Sequence, residues 1–115
     1  MSEHPVEQLL FTYGTLQYAE VQLDTFGRLL AGEPDTLPGY TIDYVDIEDP
    51  RVVDVSGHSV HPVIRFTGNP RDKVVGRAVH LTSDELDAAD EYEVSLYRRV
   101  RVALASGREA WVYVG

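Results

Sequence analysis

The sequence contains no cysteine. Disulfides, thiolate metal sites and a cysteine nucleophile are therefore excluded, and the absence fits a reducing cytoplasm. Positive charge is scarce: ten Lys and Arg stand against nineteen Asp and Glu, a formal net charge of −9. Phosphate binding needs a dense basic face, so nucleic acid is not an expected partner. Docking on an anionic membrane is disfavoured on the same ground. No apolar run approaches the roughly 20 residues of a membrane span. The opening MSEHPVEQ is polar and acidic, unlike a signal peptide. There is no Gly-rich P-loop, no GxGxxG and no GxSxG elbow. Internal repeats and low-complexity tracts are also missing.

What is present suits one ordinary domain. The chain has 115 residues, 43% hydrophobic and 25% charged. A single domain over 1–115 is expected, with residues 1–8 as a polar tail. Leu9 to Tyr13 reads as a first strand. From Leu16, the apolar residues Leu16, Ala19, Leu23, Phe26, Leu29 and Leu30 recur at three- and four-residue steps and predict an amphipathic helix. Gly27 weakens its middle by about 1 kcal/mol against alanine, which allows two short pieces. Gly32 and Pro34 stop it. A Pro-Gly turn then leads into alternation at Tyr40, Ile42 and Tyr44. Residues 46–60 read as a loop or an irregular hairpin.

PVIRF and VVGRAVHL are further strands, with Gly76 marking a bulge or a close backbone approach. Thr82 or Ser83 can cap a short acidic helix through DELDAADEYE. Leu96–Leu104 alternates strictly and, with Glu109–Val114, predicts a hairpin. The fold class expected is α+β, with a strongly curved sheet or small barrel.

Chemistry has few places to sit. His58 and His61 lie three apart in a Gly/Ser stretch. Two solvated histidines is the plainer reading, since no carboxylate pair has ligand spacing nearby, and no metal or other cofactor is expected. DVSGH lacks the strand-to-helix context of a serine nucleophile.

Two stretches stand out. In Tyr13-Gly14-Thr15-Leu16, a glycine between strand and helix lets backbone approach a ligand, and the N–H groups there can hold an anion. A plain strand–helix turn is the alternative. In LDAADEYEVSLYRR, four carboxylates (Asp87, Asp90, Glu91 and Glu93) crowd a helix C-terminus, where the dipole disfavours each by about 0.3–1 kcal/mol. A solvated acidic face is the alternative there.

Together, strand–YGTL–helix followed by L-D-x-x-D-x-Y-E and Y-x-R resembles the γ-glutamylcyclotransferase family, nearest its γ-glutamylamine cyclotransferase and avirulence-induced-gene-like branch. The resemblance spans Leu9 to Val114. It implies a small twisted mixed β-barrel with two or more flanking helices. The activity implied is release of 5-oxoproline from a small γ-glutamyl amine or peptide in the cytoplasm, without a cofactor, by a monomer or homodimer.

By the same resemblance Glu93 is the catalytic acid/base, with Glu91 and Asp90 as the other readings of the motif. Tyr13, Gly14, Thr15 and Leu16 offer backbone donors to the substrate. Tyr97 lines the pocket or serves as a core aromatic. An ordinary glutamate is a weak base for this work, so Glu93 is expected to point inward with a raised pKa, and Asp87 and Glu91 outward. Arg98, Arg99 and Arg101 read as ion-pair partners for the acidic excess. His61-Pro62-Val63 lacks the tyrosine the family often has there, so no substrate contact is assigned to it. A binding protein of the same fold that has lost turnover is the competing function.

Overall fold

A computed structural model describes residues 7–46, 60–93 and 97–115, with backbone alone at Asp46 and Val60. Most of the expected loop at 46–60, with His58 and the DVSGH stretch, lies outside the described residues, as does Leu96. The strands are β1 (Glu7–Thr12), β2 (Gly32–Pro38), β3 (Tyr40–Asp46), β4 (Val60–Phe66), β5 (Lys73–Thr82), β6 (Arg98–Ala103) and β7 (Glu109–Val114). The helices are α1 (Ala19–Phe26) and α2 (Ser83–Tyr92), and a single 3-10 turn covers Thr15–Gln17. β1 thus begins inside the expected tail, at Glu7, and ends one residue before Tyr13.

Five strands form one mixed sheet in the order β2-β5-β1-β7-β6, with β1 and β7 parallel and the other pairs antiparallel. β3 and β4 pair separately, Ile42 facing Ile64. The fold is α+β with two helices and a twisted sheet. Among the described residues the barrel does not close. The β3–β4 pair packs through Ile64, Tyr40 and Ile42 on the sheet side that carries Phe11 and Val112, and β2 and β6 remain the edges of the sheet.

That layering explains the apolar runs. β1 and β7 are covered on both faces toward their C-terminal ends, so Leu10, Phe11 and Thr12, and likewise Val112, Tyr113 and Val114, are buried in succession. Phe11, Ala78, Val112 and Val114 point to a core shared with Leu37 and Ile64. Leu10, Val79, Leu81 and Tyr113 point the other way, to a core closed by Leu16, Leu30, Leu86 and Ala89. Gly76 is required by close approach: a Cβ there would collide with the Thr12 carbonyl oxygen and come 2.8 Å from Phe11 Cζ.

α1 is shorter than its periodicity suggests. It ends at Gly27, which adopts φ 74, a left-handed conformation that suits glycine. It also turns a different face inward. Leu23 is 52% exposed, whereas Gln22 is buried. Gln22 Nε2 donates to the Leu16 carbonyl at 2.9 Å, and Gln22 Oε1 accepts from the Leu30 N–H at 2.9 Å. A satisfied polar side chain therefore clamps both ends of the segment. α2 starts with a full capping box: Glu85 N–H donates to Thr82 Oγ1 at 3.1 Å and Thr82 N–H to Glu85 Oε1 at 2.8 Å.

Candidate active site around Glu93

Tyr13 leaves the end of β1 and is tied down at its hydroxyl, which donates to the Tyr113 carbonyl at 2.7 Å. Burial pushes its pKa upward, and the charges of Tyr97 and Glu93 push the same way, while a hydrogen bond from the Ile64 backbone opposes them. The side chain is a strut for the turn. Gly14 then bends the chain with φ −127 and ψ −143, and its carbonyl accepts from Gln17 N–H at 3.2 Å. A Cβ on Gly14 would make only ordinary contact with Pro62 Cγ at 3.6 Å. The protein's own packing would therefore admit a side chain at this position, with Pro62 beside the bend.

The helix expected to start at Leu16 is that one 3-10 turn. Tyr18, with φ −81 and ψ 139, breaks the chain before α1 begins. No helix dipole of useful length stands behind the turn, so any hold on an anion comes from the local N–H groups themselves. Leu16 is 4% exposed and packs in the helix-side core. Its buried side chain anchors the turn and is closed off from solvent.

Glu93 lies at the other end of the same region. It caps α2 with extended backbone, φ −72 and ψ 137, and its N–H donates to the Ala89 carbonyl at 3.0 Å. Its side chain is partly buried. Burial pushes its carboxyl up from 4.5 to about 7. No arginine or lysine pairs with it among the described residues. Asp87, Asp90 and Glu91 are exposed on the same helix.

The two stretches meet. Thr15 Oγ1 and the hydroxyl of Tyr92, the residue before Glu93, are 2.7 Å apart. The Glu93 charge is felt by Tyr13, Tyr97 and Tyr113 alike, raising the pKa of each. Tyr97 is half-buried and packs against the helix-side core, and its hydroxyl donates to the Pro62 carbonyl at 2.7 Å. Burial, with Glu93 and Tyr92 behind it, pushes its pKa to about 12.

The family model described as gamma-glutamyl cyclotransferase, AIG2-like, matches residues 10–115. The chain belongs to this family. No curated protein matches it.

Among solved structures, the chain is similar to a protein of Arabidopsis thaliana determined in solution, at TM-score 0.72 and 22% identity over 99% of this chain and 65% of that one. It is similar to an uncharacterized protein of Homo sapiens at TM-score 0.74 and 20% identity, over 94% and 66%. A structure named gamma-glutamyl cyclotransferase gives TM-score 0.72 and 20% identity, over 95% and 66%. Identities this low carry the fold alone. The chain spans about two thirds of the length of these structures.

Within the gamma-glutamyl cyclotransferase framework, the fold gathers Tyr13, Gly14, Thr15, Tyr97 and Glu93 into one region. It also adds residues that the sequence did not point to. Tyr113 donates its hydroxyl to Asp90 Oδ1 at 2.7 Å while its carbonyl holds Tyr13. Arg99 reaches Asp90 Oδ2 at 3.2 Å and stacks over Trp111, 4.5 Å from the ring centroid. The expected pairing of Arg99 with the acidic helix therefore exists, but it is partly buried. Tyr92 was legible only as a letter of the motif, and its hydroxyl proves to be what joins the helix to the turn.

Proposed function

We propose that the chain is a cyclotransferase that releases 5-oxoproline from a small γ-glutamyl amine or peptide, with Glu93 as general acid/base. The observation that supports this most is a carboxyl near pKa 7, partly buried and unpaired among the described residues, in the field of the tyrosine that opens the YGTL turn. A base poised near neutral pH both accepts and returns a proton efficiently.

The substrate supplies its own nucleophile. Its α-ammonium loses a proton to Glu93, and the free amine attacks the γ-carbonyl carbon. The carbonyl oxygen becomes an oxyanion, for which the bare amides of the Gly14–Leu16 bend are suited donors. The C–N bond to the leaving amine then breaks as its nitrogen takes a proton from Glu93. Of the ammonium's three protons, one stays on the lactam nitrogen and one reaches the departing nitrogen through Glu93; the freed Glu93 carboxylate then takes the third from the cyclised nitrogen and passes it to the released amine, which leaves as its ammonium. Holding the amine against the carbonyl removes much of the entropic barrier. No nucleophilic side chain is needed, which suits a chain without cysteine.

No helix among the described residues is long and apolar enough to cross a membrane, and we place the reaction in the cytoplasm. The test is to incubate the protein with γ-glutamyl amines, γ-glutamyl dipeptides and glutathione and to assay 5-oxoproline. Release from at least one class is expected. Release from none, with 5-oxoproline still bound, would leave a ligand-binding relative that has lost turnover.

A further inference from the structure

Glu93 caps the C-terminal end of α2, whose last turn carries no basic residue. Asp90, one turn earlier, is as poorly placed against the helix dipole as the other acids there. Unlike Asp87 and Glu91, Asp90 has partners from the sheet. Tyr113 donates to one of its oxygens at 2.7 Å, and Arg99 reaches the other at 3.2 Å. Arg99 is in turn fixed by Trp111, and its second terminal nitrogen is buried without a partner among the described residues. An arginine carrying that cost is held for the sake of the contacts it does make. Tyr113 is also the residue whose carbonyl receives the Tyr13 hydroxyl at 2.7 Å. One residue of β7 thus grips the end of α2 with its side chain and the mouth of the YGTL turn with its main chain.

We propose that Asp90 and Tyr113, with Arg99 behind Asp90, are positioning residues that hold Glu93 against the Tyr13–Leu16 turn. The inference rests on the cyclotransferase reading above. These side chains act through Glu93 and Tyr13. If the strut is cut, the last turn of α2 can drift and water can reach the Glu93 carboxyl. The groups around that carboxyl are Tyr13, Tyr97 and Tyr113, with Asp90, Glu91 and Tyr92 on its own helix and Arg99 beyond Asp90.

Tyr113→Phe removes the hydroxyl and keeps both the ring and the carbonyl that binds Tyr13. Its kcat for 5-oxoproline release should fall at least about tenfold while KM moves less than about threefold. In the same variant the Glu93 carboxyl, followed by carbon-13 NMR, should titrate at least about one unit lower than in the parent. Asp90→Asn keeps an oxygen to accept from Tyr113 but turns an amide NH2 toward Arg99, so it should lose part of the parent's kcat and titration shift, and less of both than Asp90→Ala. Asp90→Ala should behave like Tyr113→Phe. If Tyr113→Phe loses thermal stability yet keeps the parent's kcat and Glu93 titration, the pair is structural only and the proposal is overturned. A parent protein that releases no 5-oxoproline refutes the reaction instead, and the NMR titration still decides the positioning.

Discussion

Glu93→Gln should reduce 5-oxoproline release by about 10²–10⁴-fold, the usual contribution of a positioned acid/base. Glutamine keeps the size and shape of the side chain and can neither take the proton from the α-ammonium nor return it to the leaving nitrogen. The loss should fall on kcat, since in the proposed reading substrate is held by main-chain groups of the Tyr13–Leu16 bend. Glu91→Gln and Asp87→Asn, on the exposed side of α2, should stay within about twofold of the parent. Steady-state assay of the three variants distinguishes the readings of the acidic motif. An active Glu93→Gln beside an inactive Glu91→Gln would reassign the proton shuttle.

The same substitution should stabilise the fold, and only at higher pH. The Glu93 carboxyl is raised from 4.5 to about 7 by burial. The native state therefore holds this proton more tightly than the unfolded chain does. Between those two values the folded form binds more protons, so this group's contribution to stability falls as pH rises through the window. The cost is absent below about pH 4.5 and complete above about pH 7, where it amounts to about 3 kcal/mol at 1.36 kcal/mol per unit. Glutamine never carries the charge. Urea unfolding at pH 8 should show Glu93→Gln more stable than the parent by up to about that amount, and at pH 4.5 the two should nearly coincide. Equal midpoints at pH 8 would mean that the carboxyl is solvated. A gain in stability bought at the expense of turnover is the usual trade at a working site.

How far the sequence could be read depended on the kind of signal each element left. The β6–β7 hairpin was legible from strict alternation, since β6 is an edge strand with one face toward the core. α2 was legible from its capping box. β2 was not: GEPDTLP holds two prolines and looks like a helix stop followed by a turn. The strand exists because it is an edge, where a missing N–H costs no ladder bond. The inward face of α1 was misread because Gln22, a polar residue, fills the core position and leaves Leu23 outside. Hydrophobic periodicity cannot register a buried side chain whose amide both donates and accepts a hydrogen bond.

At the candidate site, the YGTL bend and Glu93 carried family-specific spacing and were legible as candidates. Tyr113 could not. Its contact with Tyr13 joins residues 100 positions apart, and nothing local to either one predicts it.

The central claim is that the Tyr13–Leu16 bend and the Glu93 carboxyl serve one ligand. The most direct test is an NMR titration with the proposed product. On adding 5-oxoproline to the full chain, the amide signals of Gly14, Thr15 and Leu16 and the carboxyl signal of Glu93 should shift together, with a single dissociation constant. Shifts confined to one of the two, or saturation of another part of the surface while both stay still, would contradict the account.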